Sequence, residues 1–173
     1  MRALRRLTHV DIAASVQRVD AAGRELVLRV LVTPRGNLSE AGGISPTETL
    51  TLQTSASVRG DLKFHAHSRI ATVDVPVALT AGSITGYPFN AYDAALEFGP
   101  VEGGEAVPVR MTLTNNDALF AATVDAYENG GAAVFDVDLD RSTSVLTFAL
   151  FMMAAMWALA LAVLAVLAVL VSA

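Results

Sequence analysis

From Asp11 to Leu139 apolar and polar residues alternate in short runs, each closed by a cluster of Gly, Pro, Asn or Ser. Asp11 to Val19 and Glu25 to Thr33 flank Asp20-Ala21-Ala22-Gly23-Arg24, a turn-rich break that predicts a hairpin. The same period of two recurs in Thr47 to Gln53, Asp61 to Ala66, Ala71 to Leu79, Ala91 to Phe98, Ala106 to Thr114, Leu119 to Tyr127 and Ala132 to Leu139. Two of these, Ala91 to Phe98 and Leu119 to Tyr127, are rich enough in Ala for helix by propensity alone, but neither holds a 3.6-residue period, so both are read as strands. Nine short strands with no internal repeat predict an all-β fold, a β-sandwich over residues 1–142. Asn37 to Pro46, with its paired glycines and proline, is the clearest loop.

The pattern then changes kind. Val145 to Val171 runs without a charge and with Thr147 as its one polar side chain. As a helix it would be roughly 40 Å long against a hydrocarbon core of about 30 Å, so residues 143–173 are read as one C-terminal transmembrane helix. Its C-terminal position is wrong for a secretory signal, which is N-terminal and shorter in its apolar part. Asp140 and Arg141 mark its membrane edge.

Composition sharpens this picture in one respect. The chain is 53% hydrophobic, and the excess over ordinary globular composition sits in that one segment. A net charge of −5 with scattered basic residues gives no clustered face for nucleic acid, so no nucleic-acid partner is expected. The absence of cysteine excludes disulfides, thiol catalysis and cysteine-ligated metals. Among the basic residues Lys63 is the single lysine, a bias that fits a GC-rich bacterial genome.

Candidate chemistry is sparse. His65 and His67, two apart on a strand, would point both imidazoles to one face, but no third ligand is marked by spacing, and a solvated strand face explains them as well. Asp136, Asp138 and Asp140 line one strand face while Phe135, Val137, Leu139 and Arg141 line the other. The loop positions that a calcium-binding EF-hand fills with Gly and Glu hold Arg141 and Thr147 here, which rejects that motif; an exposed acidic face is the plain reading, and a looser cation site the alternative. Ser83, in Gly82-Ser83-Ile84-Thr85-Gly86, lacks the nucleophile-elbow pattern, and no glycine loop is followed by Lys and Ser or Thr. The chain is therefore not expected to be an enzyme, and no cofactor is expected. Along the helix, Ala154, Ala158 and Ala162 share one face at a spacing that lets helices approach, and Trp157 falls near the middle of the apolar run, where it would pack on a neighbouring helix.

The most distinctive segment is Gly82 to Tyr92, whose Tyr87-Pro88-Phe89-Asn90-x-Tyr92 string sets a stiff corner at Pro88. Asn90 would close the turn with its own side chain. Structurally the corner would plug one end of the sandwich. Functionally it would touch the membrane surface or adjacent helices.

With Pro34-Arg35-Gly36, a long strand ending at Gly82, that corner, and Asp140-Arg141-Ser142 leading into a membrane helix, the chain resembles an actinobacterial, largely mycobacterial, family of membrane proteins catalogued as domain of unknown function 4436. The likeness covers most of residues 10–160. The family's usual corner carries Asp where this chain has Asn90, and its members tend to have a membrane segment before the β domain and more than one after it. The resemblance therefore implies that this chain is a partial or mis-started copy, and it implies no mechanism, because the family has no established activity. A looser similarity of layout links Tyr87 to Asn90 and Arg141 to pentameric ligand-gated channels, where an aromatic-Pro-Phe-Asp corner and an Arg before the first helix lie between a β-sandwich and the membrane.

These readings lead to a membrane-anchored β-sandwich serving as a binding or scaffolding module at the cell envelope, with the lipid bilayer, other membrane helices or further copies as partners. The alternative is a ligand-responsive sensor or channel-like subunit. Arg2, Arg5, Arg6 and Arg141 all precede the span, which by the positive-inside tendency favours a cytoplasmic domain. The family resemblance implies the opposite, and long folded domains translocate largely regardless of local charge, so the β domain is expected outside the plasma membrane.

Overall fold

The structure, a computed structural model, describes residues 8–40, 43–55, 60–129 and 132–172. In chain order the strands are β1 (His9–Asp20), β2 (Glu25–Arg35), β3 (Leu50–Thr54), β4 (Leu62–Phe64), β5 (Val73–Ala78), β6 (Ala81–Gly82), β7 (Tyr92–Glu102), β8 (Glu105–Ala106), β9 (Val109–Asn115), β10 (Phe120–Asn129) and β11 (Ala132–Arg141), followed by one helix, α1 (Thr143–Ser172). They form two sheets, one ordered β5-β2-β1-β9 and the other β10-β11-β7-β3-β4, with β6 and β8 as short additions to β7. The pairing is antiparallel throughout except between β1 and β9, which run parallel from Val10↔Val109 to Val16↔Asn115.

The period of two explains the layers. Val10, Ile12, Ala14 and Val16 of β1 and Leu26, Leu28, Val30 and Val32 of β2 turn inward. They meet Tyr92, Ala94, Leu96 and Phe98 of β7 and Phe135, Val137 and Leu139 of β11 in one shared core. A register shift between Val16 and Arg18 lets the inward position move to Val19, so a strand whose sequence breaks period still keeps a continuous apolar face. The Ala-rich runs are strands, because inward Ala94, Leu96 and Phe98 have partners across the sandwich at a two-residue spacing only.

All nine expected strands form, and the differences lie at their ends. The run Asp61 to Ala66 shortens to Leu62–Phe64, so His65 and His67 sit in a turn and not on one strand face as expected. His67 has φ +60°, and its amide donates to the Pro46 carbonyl at 2.9 Å. The strand expected to run on to Gly82 breaks after Ala78 and resumes as β6, since Thr80 turns to give its amide to the Asp93 carbonyl on β7 at 2.7 Å. The β1–β2 hairpin is as expected, with the Asp20 carboxylate accepting the Gly23 amide at 2.8 Å.

Strand direction sorts the loops into two ends. The β1–β2 turn, residues 79–91, residues 116–119 and the start of α1 share one end; the loops after β2 and β4 and the Gly103-Gly104 turn share the other. α1 is long and apolar enough to cross a membrane, and none of its most apolar window is buried against the sandwich. Arg2, Arg5 and Arg6 lie outside the described residues.

Candidate functional site

The end of the sandwich next to α1 is built from one continuous hydrogen-bonded unit. It begins at Gly82, whose φ of +101° and close approach exclude a side chain: a Cβ there would lie 2.3 Å from the Ala91 carbonyl oxygen and 2.4 Å from the Tyr92 ring. Ser83 then accepts the Thr85 amide at 3.3 Å and starts a single 3-10 turn over Ile84–Gly86. The Phe89 amide donates to the Gly86 carbonyl at 2.8 Å, and the Tyr87-Pro88 peptide is cis. Arg24, from the β1–β2 turn, donates to the carbonyls of Leu79 and Gly82, each at 3.2 Å, and ties the hairpin to this corner.

Asn90 is the centre of the unit and the buried polar side chain among the described residues, 5% exposed. Its Nδ2 donates to the Tyr92 hydroxyl at 2.6 Å, and its Oδ1 accepts from Arg141 Nε at 2.9 Å. The expected local turn closure by Asn90 is thus replaced by a long-range link, from the corner to the last residue of β11. The Arg141 guanidinium lies over the Phe120 ring at 4.1 Å and faces the Tyr87 ring at 5.4 Å. Tyr92 meets Phe120 edge to face, with ring centroids 5.8 Å apart. The corner closes this end of the sandwich through its buried Pro88, Asn90 and Tyr92, while its Tyr87 and Phe89 stand 56% and 68% exposed.

A second loop completes the arrangement. Asp117 accepts the amides of Leu119 at 2.7 Å and Phe120 at 3.2 Å with one oxygen and that of Val19 at 3.0 Å with the other. Asn115 donates to the Phe120 carbonyl at 2.6 Å. Ser142, the single residue between β11 and α1, gives its amide to the Leu119 carbonyl and its hydroxyl to the Ala118 carbonyl, both at 3.0 Å. Phe120, Asp117 and Leu119 were not singled out by sequence reasoning, and Ser142 was marked there only as part of the polar edge of the helix. Asn115-Asn116-Asp117 is a turn signal in the sequence, but nothing in it names Ser142 as the partner.

The remaining candidates do not converge. Asp136, Asp138 and Asp140 do line the outer face of β11, and the register adds Asp93, Glu97 and Asp125 from the flanking strands to the same face. Asp136 and Glu97 hold the Tyr127 phenol above its ordinary value, the Asp136 charge contributing most. His67 pairs with Glu40 on a turn beyond β4, three strands from β11 and so roughly 14 Å away across the sheet. The candidate histidines and aspartates are therefore not brought together, and no group of three or more metal-type ligands forms among the described residues. On α1, Trp157 is exposed and lines a shallow hollow with Met153, Met156 and Ala160.

No curated protein matches the chain. Residues 5–140, which span every strand from β1 to β10 and most of β11, together with the corner and the acidic face, match the family described as Domain of unknown function (DUF4436), and the chain belongs to that family.

Proposed function

We propose that the protein is a membrane-anchored β-sandwich that acts as a non-enzymatic binding or scaffolding module at the envelope of a bacterial cell, with its β domain outside the plasma membrane. The observation that carries this reading is the junction: β11 passes into the apolar α1 through Ser142 alone, and Arg141 and Ser142 are bonded to both neighbouring loops. Such a junction holds a folded domain at a fixed height and orientation above a span. The acidic outer face of β10, β11 and β7 would then be presented sideways to partners, with the lipid bilayer and other membrane helices as the standing contacts.

Protease treatment of intact cells tests the placement. Digestion of the β domain to a protected α1 fragment is the expected result; full protection would refute an external domain. A second reading, a ligand-responsive subunit, is favoured by the bond from Asn90 to Arg141, which links a loop corner to the start of the helix. Crosslinking in native membranes separates the two. A defined ring supports the subunit reading, and monomers or dimers support the anchor.

A further inference from the structure

Four large apolar side chains on the α1-end loops are exposed: Ile84, Phe89 and Leu119 at 58%, 68% and 53%, and Tyr87 at 56%; Ile84 and Leu119 join the two aromatics that the sequence already singled out. Solvated aromatic and aliphatic residues gathered at one end mark a contact surface. Their exposure is not that of a loose loop. Phe89 is held by the hydrogen bond that its N–H donates to the Gly86 carbonyl, Leu119 by Asp117 and Ser142, and Ile84 lies in the 3-10 turn capped by Ser83.

We infer that Ile84, Phe89 and Leu119, with the outer edge of Tyr87, form a collar that enters the headgroup layer of the bilayer beside α1, and that its ligand is a lipid surface met through apolar contact and not through phosphate charge. This rests on reading α1 as a span, and the collar can fail while the span stands. The height of the collar follows from its bonds. The Leu119 carbonyl is 3.0 Å from the Ser142 amide, and Val145, the first residue of the apolar run, is three helical residues further, a rise of roughly 4.5 Å. The headgroup layer on each side of the hydrocarbon is roughly 5–8 Å deep, so a collar level with Ser142 lies within it when Val145 meets the hydrocarbon edge. Phe89 is brought to the same level by Asn90, which is bonded to Arg141. Aromatic rings favour this depth.

Charge argues against phosphate recognition. Arg141 is engaged by Asn90 and lies over the Phe120 ring, while Asp138, Asp140 and Asp93 share the outer sheet face at the end of the strands that leads into α1. Anionic lipid should therefore not strengthen the contact.

Because the chain has no cysteine, single labels report cleanly. The full chain is placed in phosphatidylcholine nanodiscs with an environment-sensitive fluorophore at Ile84→Cys, Phe89→Cys or Leu119→Cys. Met156→Cys in α1 and the exposed Ile44→Cys at the far end serve as references. The inference expects the three collar labels to lose access to aqueous iodide relative to Ile44→Cys and to be quenched by headgroup-level nitroxide lipid, with no gain in quenching when anionic lipid is added. Collar labels as open to iodide as Ile44→Cys, while Met156→Cys is quenched from the lipid, would overturn the collar and leave the anchor standing. Labels shielded from iodide but untouched by nitroxide lipid would also overturn it, because protein would then cover the site. An iodide-accessible Met156→Cys would remove the span and the collar with it.

Discussion

Asn90 satisfies two partners that have no other in the corner, the Tyr92 hydroxyl and the Arg141 Nε–H. Replacing it with Leu leaves both without that acceptor or donor in a site only 5% exposed, and an unmet buried group costs about 1–3 kcal/mol. Asn90→Leu should therefore lower unfolding stability by about 2–4 kcal/mol in a denaturant titration of the full chain in micelles. Asn90→Asp should behave differently. Its carboxylate accepts from both Arg141 and Tyr92, so the loss should stay within about 1 kcal/mol. An equal loss in the two variants would show that the Nδ2 donor to the Tyr92 hydroxyl is indispensable and that a carboxylate does not replace it. Glu102, at the far end of β7, carries an opposite lesson. One of its carboxylate oxygens is buried without a partner, and burial, reinforced by the nearby Glu48 charge, holds its pKa above 4.5. The folded state then keeps this proton to higher pH than the unfolded chain does, so the ionised group destabilises the fold progressively as pH rises from the ordinary carboxylate range through the raised value. Glu102→Gln should raise the thermal midpoint at neutral pH, and the gain should vanish on acidification below 4.5.

At the scale of elements, two glycines with positive φ separate backbone demand from crowding. Gly82 at +101° has the Ala91 carbonyl and the Tyr92 ring where a Cβ would go, whereas Gly104 at +88° faces open space. Gly104→Ala should cost about 1–2 kcal/mol of backbone strain and leave the fold intact. Gly82→Ala adds a steric conflict that only a shift of β6 or Tyr92 relieves, so amide exchange at residues 82–92 should accelerate while exchange in β1 and β2 is unchanged. Equal exchange in the two variants would count against β6 as the corner's anchor. The strands themselves were legible because inward positions repeat every second residue, and even the Ala-rich β7 and β10 obeyed that period. Their ends were not. β4 stops at Phe64 because the following residues turn to bond with the Pro46 carbonyl, a partner from a distant loop, and this is what removed His65 and His67 from a strand face. The corner was visible as a string, yet its chemistry lay in Arg141, 51 residues from Asn90, and local spacing names no such partner. Ile84 and Leu119 gave no signal because an exposed apolar residue in a loop acquires meaning only from what stands beside it.

For the whole molecule, the consequence of these contacts is a domain whose direction is set at the Arg141-Ser142 junction. Ser142 donates its amide and hydroxyl into loop 116–119, and Leu146 donates back to the Ser142 carbonyl at 3.1 Å, so β11 and the first turn of α1 share one hydrogen-bonded segment. Arg141 adds the bond to Asn90 on the other side. A hinge at this point would need to break contacts on both flanks, each worth about 1 kcal/mol. The strands should therefore keep a fixed tilt relative to α1 in a bilayer. Inserting Gly-Gly-Ser between Ser142 and Thr143 leaves every bond within the sandwich in place but frees the domain from the helix. In oriented bilayers the polarised infrared amide band of the strands should show a defined dichroism for the natural chain and lose it in the insertion variant, while the helix band keeps its own. Unchanged strand dichroism after the insertion would mean that contacts other than the junction, the collar foremost among them, fix the domain on the membrane; loss in both chains would mean that the junction does not transmit orientation at all.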